Sequence, residues 1–223
     1  IGRHLPGQVL GLSLPPERPQ RWYSISSAPG KEWVEVLYTK VEDGHLTPGL
    51  WQLEPGDEVW MQEPRGSFLD PDMERNESGR PAYAGDKVWW ICNGTGVSPF
   101  LAMIRDEDHF PAELLSRRVL VYGCRTEQDA FGLAEIEAAC VRRGLTCILC
   151  LSAGESGGTD RDAADGPGIH RHHGRLTSWP GLSHIPSHDR AMLCGASTMV
   201  AEVRERLQYR GMPLESIFAE IYF

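Results

Sequence analysis

The stretch that decides the fold is Val88-Trp89-Trp90-Ile91-Cys92-Asn93-Gly94-Thr95-Gly96. It opens with an unbroken apolar run, which is typical of a parallel strand covered on both faces. The Gly-x-Gly turn that follows lets a dinucleotide approach the backbone closely, and the next helix offers free amide groups. A tight turn between strand and helix, without any ligand, is the alternative interpretation of the same residues.

The alternation of apolar runs and helical patterns continues toward the C-terminus. Further apolar runs predict buried strands at 119–123, 145–151 and 191–194. Helical patterns alternate with them at 97–105, 133–143 and 198–209. This order predicts a doubly wound parallel α/β sheet, whose ligands lie beyond the carboxyl ends of the strands.

The first third of the chain has shorter apolar segments separated by turn signals. The segments predict strands at 9–14, 23–27, 33–40 and 59–61, which at this spacing suggest a small antiparallel β-barrel. One short helix is predicted within 44–52, and the polar residues 73–85 are predicted to form a linker. We therefore predict two domains, residues 1–80 and residues 81–223.

A candidate ligand site lies in Arg21-Trp22-Tyr23-Ser24-Ile25-Ser26-Ser27. In a strand, Arg21 and Tyr23 share a face because side chains repeat every second residue. The guanidinium fork matches phosphate oxygens, and the phenol ring can lie flat on an aromatic ligand. A solvated arginine beside a half-buried edge strand is the alternative. Thr47, at the start of the predicted helix, adds a second phosphate candidate, and an N-cap role is compatible with it.

Four further stretches, in this order, extend the pattern. They are Ile91-Cys92-Asn93-Gly94-Thr95-Gly96-Val97-Ser98-Pro99-Phe100, Val119-Leu120-Val121-Tyr122-Gly123-Cys124-Arg125, Ala191-Met192-Leu193-Cys194-Gly195 and Glu220-Ile221-Tyr222-Phe223. Together with the arginine–tyrosine segment, they resemble the ferredoxin–NADP(H) reductase family over nearly the whole chain. Val41-Glu42-Asp43-Gly44-His45-Leu46-Thr47-Pro48 and the aromatic C-terminus are similar to its bacterial branch.

The resemblance implies an FAD-binding β-barrel domain followed by an NADP-binding α/β domain. It implies a flavoprotein reductase that transfers hydride between NADPH and FAD and exchanges single electrons with ferredoxin or flavodoxin. In the family, a segment like Pro6-Gly7-Gln8 ends the first hairpin, and the chain lacks a starting methionine. We therefore expect the first barrel strand to lie upstream of Ile1.

The resemblance also implies the site residues. Those expected to bind FAD are Arg21, Trp22, Tyr23, Ser24, Gly44, His45, Leu46, Thr47, Thr95, Tyr222 and Phe223. Those expected to bind NADP are Gly94, Thr95, Gly96, Arg125, Arg175 and Cys194. The catalytic residues are expected to be Ser24, Cys194, Glu220 and Tyr222.

Particular roles follow for the C-terminal residues. Tyr222 is expected to cover the flavin face that the nicotinamide must reach, and Phe223 to stack on the adenine of a folded FAD. Cys194 is expected to shape the pocket without acting as a nucleophile. Glu220 is expected to contact the carboxamide or relay a proton. Aromatic side chains on a last strand and a solvent-exposed carboxylate are the alternatives.

Nucleotide choice depends on cations near the adenosine. The family usually carries Ser-Arg after the third strand of the sheet, whereas this chain has Ser152-Ala153. Arg125 and Arg175 remain to bind a 2′-phosphate, so NADP is preferred and NAD stays open.

Composition excludes several other functions. The net charge of −9 argues against nucleic acid as the partner, and a ferredoxin would have to dock on a local cationic patch. No run approaches the ~18 apolar residues that span a membrane, and no signal peptide is visible. The six cysteines lie mostly inside apolar runs, so we expect reduced thiols in a cytoplasmic protein. The Cys147-Ile148-Leu149-Cys150 spacing places the thiols on opposite faces of a strand. The loop predicted over 152–175 contains several histidines, for which we predict no metal.

Three alternatives remain open. They are an NADH-linked reductase component of an oxygenase, a non-catalytic FAD-binding electron-transfer subunit, and a flavin-binding sensor. The first two usually carry a cysteine-ligated iron–sulfur cluster, and the sequence has no cysteine pattern for one.

Overall fold

The computed structural model describes residues 4–73, 87–153 and 166–222. These residues form two sheets, a three-stranded antiparallel sheet followed by a six-stranded parallel sheet. The predicted fold class, an antiparallel β-barrel followed by a doubly wound α/β domain, is confirmed as a small antiparallel sheet domain followed by a six-stranded parallel sheet domain. The predicted linker falls largely on residues 74–86, outside the described residues, and the predicted domain boundary near residue 80 stays a prediction.

The smaller sheet contains β1 (Val9–Ser13), β2 (Arg21–Ser24) and β3 (Trp60–Met61), in the order β2-β1-β3. Its inner face packs in a small core, which consists of Leu10, Leu12, Ile25 and Leu46. Among the described residues of this domain there is one short helix, α1 (Thr47–Leu50).

In this domain one strand prediction is wrong and the helix prediction is confirmed. Residues 33–40 are not a strand, because Val36 makes only an isolated bridge to Ile25 and the amide of Glu35 bonds to the Ser27 hydroxyl instead of a backbone carbonyl. The short helix predicted within 44–52 is confirmed as α1 (Thr47–Leu50). The Gly44 amide bonds back to the Val41 carbonyl at 2.9 Å, which closes a turn before the helix can begin.

The larger sheet is parallel throughout. Its strands are β4 (Val88–Asn93), β5 (Arg118–Cys124), β6 (Thr146–Leu151), β7 (Gly168–His173), β8 (Arg190–Ala196) and β9 (Ile217–Tyr222). Their spatial order is β7-β6-β5-β4-β8-β9. The chain therefore runs outward from β4 to β7 and returns to β8 beside β4. This reversal creates a switch point at the carboxyl end of β4, where open α/β sheets bind ligands.

Helices cover both faces of this sheet. On one face pack α2 (Ser98–Arg105), α3 (Ala112–Leu115) and α4 (Leu133–Arg143), and on the other packs α5 (Ser197–Tyr209). The two faces bury separate cores. Cys147 belongs to the first core and Cys150 to the second, which confirms that these thiols lie on opposite faces.

The loop predicted over 152–175 is partly wrong. Gly168–His173 forms the edge strand β7, which pairs with β6, whereas residues 154–165 lie outside the described residues. The histidines concealed this strand, because an edge strand buries few of its side chains and carries no apolar run. His172 is buried, while its neighbours Arg171 and His173 are exposed.

A buried ionic cluster ties the segment after β3 to the larger sheet. Arg118 of β5 is 0% exposed and donates to Asp70 through Nε at 3.0 Å and Nη2 at 2.6 Å. The same Nη2 reaches Asp72 at 2.7 Å, and the indole of Trp90 donates to Asp70 at 3.0 Å. Asp70 and Asp72, which follow the small sheet in the chain, are thus bound to side chains of β4 and β5 in the parallel sheet.

Candidate functional site

A cleft of about 670 Å³ lies between the two sheets, at the carboxyl ends of β4 and β9. Its walls come from β2, the loop before α1, the turn after β4, and β9. The predicted site residues that line it are Arg21, Trp22, Tyr23, Ser24, Gly44, His45, Leu46, Thr47, Thr95, Glu220 and Tyr222. Segments from the two ends of the chain therefore meet in one site.

The β2 wall combines a cation and a phenol. Arg21 is exposed and Tyr23 is half-buried, with its ring edge-to-face against Tyr38 at a centroid distance of 6.5 Å. Burial raises the pKa of the Tyr23 phenol, an effect that Arg21 partly offsets. Trp22 also lines the cleft, and the Arg65 guanidinium stacks 3.4 Å from its ring centroid. The wall offers a flat aromatic surface with a positive charge at its edge.

A chain of hydrogen bonds joins β9 to β2. The Tyr222 hydroxyl donates to the Ser24 hydroxyl at 2.6 Å, and Ser24 donates to Glu220 Oε1 at 2.7 Å. The second carboxyl oxygen, Glu220 Oε2, is buried and has no hydrogen-bond partner among the described residues. The three side chains form a continuous path for a proton, with a free acceptor at its inner end.

Burial keeps the acidic groups here protonated to higher pH. It raises the pKa of Glu220, although the Ser24 hydrogen bond acts in the opposite direction. Burial, reinforced by Glu220, raises the pKa of the Cys194 thiol well above its usual value. Burial also raises the pKa of the Tyr222 phenol. Cys194 is fully buried behind these residues and is a neutral thiol at neutral pH.

The turn after β4 is packed against the end of β8. Gly94–Val97 forms a 3₁₀ turn, and a side chain on Gly96 would lie 2.3 Å from the Cys194 carbonyl oxygen. Asn93 Oδ1 accepts a hydrogen bond from the Ala196 amide at 3.0 Å, which locks the two strand ends together. Thr95 projects from this turn into the cleft.

Comparison with known proteins identifies the arrangement. A family model described as "Oxidoreductase NAD-binding domain" matches residues 90–205. A Sorangium cellulosum protein named ferredoxin–NADP reductase B is 30% identical over 221 residues, covering 96% of this chain and 82% of that protein. The chain belongs to the ferredoxin–NADP reductase family.

Other family members agree with this assignment. The Azotobacter vinelandii ferredoxin–NADP reductase is 26% identical over 229 residues, covering 95% of this chain and 80% of that protein. The structure of a Neisseria gonorrhoeae ferredoxin NADP⁺ reductase with bound FAD and NADP superposes with a TM-score of 0.76 at 16% identity, covering 99% of this chain and 88% of that one. This structural likeness shows the shared fold. The predicted family and the oxidoreductase class are confirmed.

Several residues that the resemblance to reductases predicts to bind a cofactor do not line the cleft. Gly94, Gly96 and Cys194 are next to lining residues but are not among them. Arg125 and Arg175 are exposed, after β5 and β7 respectively, and do not line it either. Phe223 lies outside the described residues.

The Thr47 hydroxyl is engaged within its own loop. It accepts from the Val41 amide at 2.9 Å and donates to the Val41 carbonyl at 3.3 Å. The residue that precedes the first helical turn is Leu46, so the N-cap interpretation of Thr47 is wrong. Thr47 still faces the reductase cleft, where its role in binding FAD stays a prediction.

The sequence reasoning missed part of the cleft wall. The additional lining residues are Gln20, Leu37, Tyr38, Thr39, Val41, Asp43 and Ile221. Tyr38 had a usable signal, because it ends the alternating segment that follows Trp33. Asn93, which joins the ends of β4 and β8, had a weaker sequence signal, because it is a polar residue at the end of a buried strand.

Within residues 4–73, 87–153 and 166–222, no group of three or more His, Cys, Asp or Glu side chains is arranged to hold a metal ion. Among the same residues, no helix has both the length and the apolar content that a membrane crossing requires.

Proposed function

We propose that this chain is an FAD-dependent reductase that moves electrons between NADPH and a ferredoxin or flavodoxin. The observation that carries the proposal is the hydrogen-bonded path from Tyr222 through Ser24 to Glu220, beside Arg21 and Tyr23 in one cleft. It supports the proposal because hydride transfer needs an aromatic surface, a sheltered polar path and excluded water in the same place.

The residues of the cleft suit FAD. Its volume of about 670 Å³ falls within the range of small-molecule sites, and aromatic rings line it. Arg21 supplies a planar donor fork for a pyrophosphate, and Tyr23 supplies a ring for stacking. The unpaired Glu220 Oε2 leaves an acceptor for a donor group that this chain does not provide.

Bound FAD supplies the conversion between a two-electron hydride and single electrons. The protein's part is binding, orientation and protection from water. Arg21 and Trp22 hold the phosphate end, together with Thr47 and the neighbouring residues Gly44, His45 and Leu46. Tyr23 would supply a ring for stacking on the flavin, and Ser24, whose hydroxyl proton goes to Glu220, would accept a hydrogen bond at the flavin edge.

Tyr222 acts as the gate for the nicotinamide. It lines the cleft, its hydroxyl bonds to Ser24, its strand pairs with β8, and its side chain packs against the first core of the larger sheet. Thr95 and Glu220 then position the carboxamide, while the neutral Cys194 thiol gives the pocket its depth. Glu220 and Ser24 hold a proton close to the reacting ring, shielded from bulk water.

The nucleotide is NADPH in this proposal. Gly94 and Gly96 allow the turn after β4 to approach the pyrophosphate, and the exposed Arg125 and Arg175 bind the 2′-phosphate from the carboxyl ends of β5 and β7. Ala153 leaves one family position without a cation, so the preference over NADH is expected to be moderate.

Anaerobic rapid mixing tests the proposal. The purified protein, loaded with FAD, is mixed with NADPH and separately with NADH, and the flavin absorbance is followed. We expect rapid bleaching, faster with NADPH, and subsequent electron delivery to ferredoxin or flavodoxin. No bleaching with either nucleotide contradicts an enzymatic role. Bleaching by NADH alone favours the oxygenase-type alternative.

A further inference from the structure

Arg105 forms a clamp between the two domains. It is the last residue of α2, and its side chain is 21% exposed. Toward the small domain, Nη1 donates to the Ser26 carbonyl at 2.8 Å and to Glu35 Oε1 at 2.6 Å. Toward the large domain, Nε and Nη2 donate to both carboxyl oxygens of Glu135 on α4, at 2.6 and 2.8 Å.

The small-domain partners of Arg105 are themselves tightly joined. The Ser26 hydroxyl donates to Glu35 Oε1 at 2.7 Å, and the Ser26 amide donates to the Glu35 carbonyl at 2.8 Å. Glu35 also donates its amide to the Ser27 hydroxyl at 3.1 Å. Arg105 therefore binds Ser26, which lies only two residues beyond Ser24 in the chain. Ser24 is the β2 residue that contacts Tyr222 and Glu220.

The two ends of α2 are both anchored near the site. Its N-terminus follows the turn that carries Thr95 into the cleft, and its C-terminus is Arg105. Eight residues of helix measure about 12 Å, so α2 is a short rigid bar between these points. Fixing Arg105 to Ser26 and Glu35 thus fixes the distance between β2 and the Thr95 turn.

The charges favour the clamp in its present form. Burial disfavours the ionised form of Glu35, but hydrogen bonds from Arg105 and Ser26 outweigh it and lower the pKa of that carboxyl. The hydrogen bonds that Arg105 donates to Glu135 and Glu35 raise the pKa of its guanidinium. Glu35 and Arg105 are therefore both ionised at neutral pH, and the forked geometry of arginine fixes direction as well as distance.

We propose that Arg105 is a positioning residue for hydride transfer. It acts through Glu35 and Ser26, holding the flavin-binding strand in register with the turn that receives the nicotinamide. The inference rests on the proposed function, since it assigns the clamp to that reaction. Hydride transfer is the step most sensitive to such a clamp, because a misplacement of about 1 Å can cost about 100-fold in rate.

A matched pair of variants tests the clamp. Glu35→Ala removes the carboxylate on the small domain, and Glu135→Ala removes the one on the large domain, so each takes one ion pair from Arg105. We expect Glu35→Ala to slow flavin reduction at saturating NADPH by about tenfold or more, and Glu135→Ala by less than about threefold. The NADPH dissociation constant should stay within about twofold in both.

Two further readouts separate positioning from simple destabilisation. The long-wavelength absorbance of the nicotinamide–flavin charge-transfer complex should fall in Glu35→Ala and stay unchanged in Glu135→Ala. Glu35→Gln, which keeps an oxygen acceptor for Arg105 and Ser26, should restore both the rate and this absorbance. If Glu35→Ala does not fold, Arg105→Lys, which keeps the charge but loses the fork, should show the same slowing.

Equal rates in wild type, Glu35→Ala and Arg105→Lys would overturn the clamp. Equal slowing in Glu35→Ala and Glu135→Ala would overturn it too, since a general loss of rigidity would then explain both. A wild-type protein whose FAD is not reduced by NADPH or NADH refutes the proposed function itself, and the clamp with it.

Discussion

Replacing Gly96 by alanine is the sharpest steric test of how the site is built. A Cβ at this position would lie 2.3 Å from the Cys194 carbonyl oxygen, 2.7 Å from its carbon and 2.9 Å from Gly195 Cα. All three are backbone atoms at the end of β8, which cannot rotate away. Restoring an ordinary contact of about 3.5 Å requires the turn and the strand end to separate by about 1 Å.

This displacement acts directly on the nicotinamide side of the cleft, because Thr95 precedes Gly96 and Cys194 lies behind Glu220. We expect the rate of flavin reduction at saturating NADPH to fall by about 100-fold, since a shift of about 1 Å misaligns the reacting groups. Overpacking should also cost about 1–3 kcal/mol of unfolding free energy. The assays are anaerobic stopped-flow absorbance and urea denaturation, with bound FAD measured in parallel.

Gly94→Ala is the control for the same turn. Gly94 has a φ of +54°, and a Cβ there meets no atom within 4 Å. The substitution therefore adds backbone strain of about 1–2 kcal/mol but causes no steric clash. FAD should be retained in both variants, because neither glycine lines the cleft. A Gly96→Ala protein that reduces its flavin at saturating NADPH as fast as the wild type would refute the reasoning.

Three further predictions concern single groups. Tyr222→Ser should tighten NADPH binding and alter turnover, because it removes the ring that blocks the nicotinamide; unchanged affinity for both nucleotides would count against gating. Asp70→Ala should lower the unfolding free energy by about 3 kcal/mol or more, because Arg118 is left buried without its main partner; urea denaturation measures this, and a loss below about 1 kcal/mol contradicts a stabilising cluster. Glu220→Gln should alter the pH dependence of stability. The folded pKa of Glu220 lies above its ordinary value of 4.5, so the wild type loses stability as pH rises from that value through the folded pKa, and the variant lacks this component; parallel thermal unfolding profiles of the two proteins against pH would exclude the effect.

The parallel sheet was predictable because each of its central strands is apolar on both faces. The strand that begins at Val88 and the helix Leu133–Arg143 follow directly from such patterns. The edge strand Gly168–His173 was not predictable from its sequence. It pairs with a neighbour on one side only and buries few side chains, so it needs no apolar run. Residues 33–40 misled for a related reason, since the Ser27 hydroxyl replaces a backbone partner that an alternating pattern alone cannot reveal.

The candidate site was predictable where its residues lie in ordered motifs. The segments that resemble family motifs contain Arg21, Tyr23, Ser24, Thr95 and Tyr222, and the structure places these side chains around one cleft. What the sequence does not contain is a sign of pairing between distant side chains.

The Arg105 clamp illustrates this limit. The arginine lies 70 residues from Glu35 and 79 from Ser26 along the chain, and nothing in its helix marks it as special. The Tyr222 hydroxyl reaches Ser24 across 198 residues, and only the fold brings them within 2.6 Å. Tertiary structure alone creates both contacts.

Titration of the full-length protein with FAD tests the central claim most directly. We expect one FAD to bind per chain, its fluorescence to be quenched by the aromatic walls of the cleft, and Arg21→Ala to weaken binding. A folded protein that is colourless as purified, and that neither binds added FAD nor quenches its fluorescence, would contradict it.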